Sequence, residues 1–97
     1  MHSPIRHGDV LLLPVRSAPA GTSELVTSCV VGRSASGHQH VLDSDRTFAR
    51  IVAVDGDLYV DLEASTRLFK REDDNWLPEI EVPAGTWRIL GAPASTG

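Results

Sequence analysis

The chain has 97 residues, enough for one domain with a single core, and 41% of them are hydrophobic, as in ordinary globular proteins. Its formal net charge of -4 argues against nucleic acid and anionic membranes as partners, so we expect binding to neither. A single cysteine excludes an internal disulfide framework. No apolar stretch has the length of a signal peptide or a membrane span, which predicts a cytoplasmic protein.

The first part of the chain shows strand patterns separated by small and polar residues, and no sustained helical period. Residues 10–15 form an apolar run, as in a strand buried on both faces. Residues 24–31 are rich in β-branched side chains, and Cys29 within them is interpreted as a small buried hydrophobic residue. A small, polar loop over 32–37 then leads into a strand over 38–42.

The strongest local signal is the pair Asp55-Gly56, which lies between two apolar runs. Such a pair favours a tight turn, so it predicts a β-hairpin with strands over 47–54 and 57–62. In the second of these strands, apolar and polar residues alternate, which is typical of a strand with one dry face and one wet face.

Three further strand patterns follow, over 66–71, 79–82 and 86–90, and the last two are separated by a proline-glycine turn. Seven or eight short strands at this spacing predict an all-β single domain over 1–91, either a small barrel or a sandwich. Residues 92–97 are small and polar, and we expect them to form a flexible C-terminal tail.

Two histidines two residues apart, His38 and His40, are the main candidates for a site. Residues at this spacing in a strand point to the same face, so both imidazoles would converge on one point. With a carboxylate from Asp43, Asp45 or Asp73 they would suit one divalent metal ion, namely Zn, Mn or Fe. The alternative is that both are polar residues on an exposed strand face. His7 would join them if the first strand lies adjacent.

The spacing Gly-x5-His-x-His that ends at His40, followed much later by Pro83-x-Gly85, resembles the motifs of the cupins. The resemblance implies a β-barrel of the cupin or jelly-roll type that binds one metal through His38, His40 and an acidic residue, for which Asp45 is the match. Cupins commonly carry a last histidine ligand where this chain has Arg88, and arginine cannot coordinate a metal.

A second resemblance covers more of the chain. The motifs Arg-x-Gly-Asp-Val-Leu from Arg6, Gly-His-x-His from Gly37 and Pro-Ala-Gly-Thr from Pro83 look like those of a group of short uncharacterised bacterial and phage proteins. Members of that group add a His-x-x-His pair where this chain has 70–73, so only Asp73 could replace one of those ligands. The resemblance implies a bacterial or phage origin, and it supplies no function that could be carried over to this chain.

Trp76 and Arg88 are candidates for binding a partner or ligand, because tryptophan is enriched at interaction hot spots and arginine binds anions. The alternative for Trp76 is packing in the core, because a chain with only five aromatic residues needs its large side chains inside. Two functions result. The first is a non-catalytic binding module that engages a protein or a small ligand and forms a homodimer through sheet edges. The alternative is a metal-dependent enzyme or sensor that uses His38 and His40. The sequence assigns no catalytic residue.

Overall fold

Eight strands form a nearly closed small barrel in the computed structural model of the chain. The structure describes residues 2–8, 10–33, 37–72 and 75–90, and the side chains of all of these except 75–79. The strands are β1 (Ile5–His7), β2 (Val10–Val15), β3 (Gly21–Arg33), β4 (Gln39–Ala53), β5 (Leu58–Leu62), β6 (Thr66–Glu72), β7 (Asn75–Val82) and β8 (Gly85–Leu90). The predicted all-β barrel is therefore confirmed, while its cupin or jelly-roll type stays a prediction.

All strand pairs are antiparallel, and along the sheet their order is β1-β2-β8-β5-β4-β6-β7, with β3 paired to β4. The predicted hairpin at Asp55-Gly56 joins β4 to β5, and the amide of Gly56 donates to the carbonyl oxygen of Ala53 at 2.8 Å. Gly56 has a φ of 93°, which glycine adopts without the steric cost that a side chain would add.

The long strand β4 organises the barrel, because it pairs with three other strands. On one side it pairs with β3; on the other side residues 39–43 pair with β6 and residues 49–52 pair with β5. Residues 44–47 have no partner in these three ladders, so the strand changes neighbours at that corner. The sequence predicted two separate strands, over 38–42 and 47–54. That prediction was wrong, because residues 43–46 continue the strand instead of ending it.

The core is apolar and receives side chains from most strands. Trp87 of β8 is fully buried, and its indole Nε1 donates to the carbonyl oxygen of Pro83 at 3.0 Å. The buried cluster around it contains Val10, Leu12, Cys29, Val31, Leu42, Phe48, Val60, Leu62, Leu68, Val82 and Ile89. The predicted tail over 92–97 lies outside the described residues.

Candidate functional site

The ladder between β4 and β6 changes from apolar to polar toward one end of the barrel. Leu42 lies opposite Leu68, and both side chains are fully buried in the core. Two residues further along, His40 lies opposite Lys70. Because side chains alternate along a strand and opposite residues share a face, this polar pair is on the same face as the two leucines. The polar end of the barrel is defined here as His7, His38, His40, Lys70 and Glu72.

His7 of β1 and His40 of β4 meet inside the polar end, although their strands are not paired. The two Nδ1 atoms are 2.7 Å apart, and the rings lie edge to face with an interplanar angle of 82°. The exposed fraction is only 9% for His7 and 3% for His40. A hydrogen bond between these atoms requires one Nδ1 to carry a proton and the other to lack one.

Gly8 allows β1 to approach His40 closely. Its φ is 62°, and a Cβ atom at this position would lie 3.0 Å from Cε1 of the His40 ring. A residue with a side chain would therefore destabilise the fold for two reasons: the left-handed backbone conformation is unfavourable for it, and its Cβ atom would crowd the imidazole. Glycine at this position thus permits the close approach of β1 to His40.

The second polar contact involves His38, which lies one residue before β4 begins. Its Nε2 is 2.8 Å from Oε1 of Glu72, and Nζ of Lys70 is 4.0 Å from the same oxygen. About a third of each of these three side chains is exposed (30% for His38, 33% for Glu72 and 34% for Lys70), so the trio lies at the rim. The carboxylate of Glu72 is thus within hydrogen-bond distance of His38 and within ion-pair distance of Lys70.

Two of the three carboxylates named from the sequence, Asp43 and Asp45, lie away from the polar end. Asp43 and Asp45 line a cavity of about 360 Å³ at the β4 corner, together with Arg46, Arg67 and Glu81. Asp45 is five residues beyond His40, a span of roughly 16 Å in an extended strand. Asp73 lies outside the described residues. Over 2–8, 10–33, 37–72 and 75–90, no group of three or more His, Cys, Asp or Glu side chains could hold a metal ion.

The two candidates for partner binding also have definite positions. Arg88 forms an ion pair with Asp57, with Nη2 and Oδ2 2.8 Å apart, and both side chains are partly exposed. Trp76 lies in β7 opposite Arg71, and its side chain is outside the described residues. Its role as a partner anchor stays a prediction.

His7 is the residue that sequence reasoning placed only conditionally. The histidine pair joins positions 33 residues apart, and β1 has only three residues, too few for a strand pattern. The one signal was the glycine next to it, in the motif that begins at Arg6. No pattern in the sequence predicted the contact between Glu72 and His38.

Cys29 is buried in the core, as the sequence predicted. Burial raises the pKa of its thiol because the thiolate loses hydration, and this outweighs the opposite effect of nearby Arg50. We expect iodoacetamide at pH 8 to alkylate the folded protein on the order of 100-fold more slowly than the urea-unfolded chain. Mass spectrometry of quenched time points measures both rates. Equal rates would show that the thiol is accessible in the fold.

The comparisons with known proteins give one match. A family model described as a domain of unknown function (DUF8820) matches residues 6–91, which includes every residue of the polar end. Neither the curated proteins nor the solved structures contain a match to the chain. Among the described residues, no helix is long and apolar enough to cross a membrane.

Proposed function

We propose that the chain, which belongs to the DUF8820 family, is a small non-catalytic binding module that takes a small ligand at the polar end of its barrel. The observation that best supports this proposal is the contact between His7 and His40, two imidazoles buried at the edge of an apolar core. Burying polar groups costs free energy, and departures of this kind from apolar packing concentrate at functional sites. Its cytoplasmic location and its bacterial or phage origin are further proposals from the sequence.

The chemistry of the polar end favours an anionic ligand that carries a carboxylate or a phosphate. Among the five residues that define the polar end there is one carboxylate, Glu72, and both His38 and Lys70 lie beside it. Lys70 has a cationic group that only donates hydrogen bonds, and each of the three imidazoles can offer an N–H group. A ligand with acceptor oxygens therefore complements this set of residues.

A second candidate function, metal-dependent sensing or catalysis, is favoured by the convergence of the two Nδ1 atoms. Zinc binds imidazole nitrogen at about 2.0–2.1 Å, which places two such nitrogens roughly 3 Å apart around one ion. His7 and His40 would need to separate only slightly from their 2.7 Å contact. In the part of the chain that the structure describes, they supply two ligands, and solvent would have to supply more. The sequence-based pair His38 and His40 would first require His38 to leave Glu72.

One set of thermal unfolding experiments separates the two candidates. Tag-free protein is unfolded with sodium succinate, inorganic phosphate, ZnCl₂, MnCl₂ or anaerobic Fe(II), and NaCl at equal ionic strength corrects for screening. A ligand at 100 times its Kd stabilises by about 2.7 kcal/mol, which is a shift of roughly 10–20 °C for a domain of this size. We expect succinate or phosphate to raise the midpoint of the wild type.

The variants assign the shift to individual groups. Lys70→Gln should lose most of the anion response, while His2→Gln, which changes a histidine outside the polar end, should keep it. A response to metal alone that His7→Gln abolishes would replace the anion with the metal candidate. No response to any of these probes would contradict both.

A further inference from the structure

Among the described residues, three strands lie at an edge of the sheet, and they differ in how they are protected. Unprotected edge strands pair with other chains, so proteins shorten them or place proline and charges in them. β1 has only three residues, and β7 contains Pro78 and two glutamates. β3 has 13 residues with neither proline nor lysine, and within the described residues it pairs with β4 alone, in a ladder that is irregular between Val26 and Ser28 and between Val30 and Gly32.

β3 is also exposed and apolar where an edge is normally charged. Eight consecutive uncharged residues lie between Glu24 and Arg33, and most side chains of the strand are exposed. Leu25 has an exposed fraction of 72%, and Val30 one of 36%. Exposed β-branched and aliphatic side chains, on a strand that has a ladder on only one side among the described residues, are the features of a surface that adds a strand.

We infer that β3 is an interaction edge and that its partner is β3 of a second copy of this chain, paired antiparallel about a two-fold axis. A two-fold contact uses the same surface on both copies, so the partner strand has the same length and the same uncharged centre. The two charges of β3 have opposite signs and stand near opposite ends. Antiparallel pairing therefore brings Glu24 of each copy near Arg33 of the other.

Glu24 is available for this contact. Its Oε1 is 3.3 Å from Nη1 of Arg50, and 60% of the side chain is exposed, so the carboxylate can accept a second cation. Like charges directly opposite each other in a sheet are destabilising. A register centred on the uncharged run avoids this arrangement. The dimer satisfies the backbone groups along the free edge of β3 and covers Leu25.

Sedimentation velocity from low micromolar to near-millimolar concentration tests the inference. The monomer mass is 10.5 kDa, and we expect the wild type to approach twice that mass as concentration rises. Leu25→Lys should weaken dimerisation on the order of tenfold or more, because it places two cations in the shared sheet. The control is Val54→Lys, which changes an equally apolar side chain, 90% exposed, in the β4–β5 turn. It should dimerise like the wild type.

Hydrogen exchange of the β3 amides gives the second readout. Amides on the free edge should be protected at high concentration and lose that protection on dilution or in Leu25→Lys, while circular dichroism shows an unchanged fold. A wild type that stays monomeric throughout would overturn the inference. A dimer that Leu25→Lys leaves intact would also overturn it, since another surface would then hold the copies together.

Discussion

Replacing His40 with alanine should lower the free energy of unfolding by about 2–4 kcal/mol. His40 is only 3% exposed, so removal of its side chain leaves a cavity that the surrounding residues fill incompletely. The loss also leaves Nδ1 of His7 without the partner 2.7 Å away, and a buried polar atom without a partner is costly. Urea denaturation followed by circular dichroism measures the change.

His38→Ala is the matched control for this prediction. The same residue type is removed from the same end of the barrel, but this side chain is 30% exposed and contacts Glu72 at the rim. Partly exposed ion pairs contribute little, so the loss should stay below about 1 kcal/mol. Equal losses in the two variants would contradict the assignment of a buried structural pair to His40. A double-mutant cycle with His7→Ala should give a coupling of about 1 kcal/mol or more.

Trp87→Ala should destabilise the protein by about 3–5 kcal/mol, the largest effect expected of a single substitution in this chain. Among the described side chains Trp87 is the largest that is fully buried, and it packs within the central apolar cluster. Its indole also donates to Pro83, and the ring of His2 stacks on it with centroids 5.7 Å apart. Thermal and urea unfolding, followed by far-UV circular dichroism, measure the loss.

Trp87→Phe separates packing from hydrogen bonding in that result. Phenylalanine keeps an aromatic ring in the core and loses the donor to Pro83, so we expect a smaller loss of about 1–2 kcal/mol. A loss below about 1 kcal/mol for Trp87→Ala would contradict the position of this residue at the centre of the core.

The elements that local sequence determines were predicted well. The hairpin at Asp55-Gly56 depends on a turn whose residues are adjacent in the chain, and its strands form as expected. The interpretation of Cys29 as a buried apolar residue was also confirmed, although most side chains of its strand are exposed.

The features that depend on distant pairing could not be predicted in the same way. β4 continues through its polar corner because it exchanges β6 for β5 as its neighbour, and no local pattern records which strand lies beside it. The spacing of His38 and His40 predicted that both would meet at one point. Instead, His40 contacts His7 from another strand and His38 contacts Glu72, and the metal role of these residues stays a prediction.

The central claim is that His7 and His40 lie at the centre of a ligand site. The NMR signals of their imidazole nitrogens test this claim directly, because they report the protonation of each ring and its response to a ligand. Long-range ¹H–¹⁵N NMR spectra of the histidine side chains, recorded with and without succinate or ZnCl₂, resolve the tautomer of each ring. We expect His7 and His40 to show opposite Nδ1 protonation in the free protein, and their resonances to shift on ligand addition while those of His2 do not. Two histidines in the same tautomer, unresponsive to every ligand, would contradict the account.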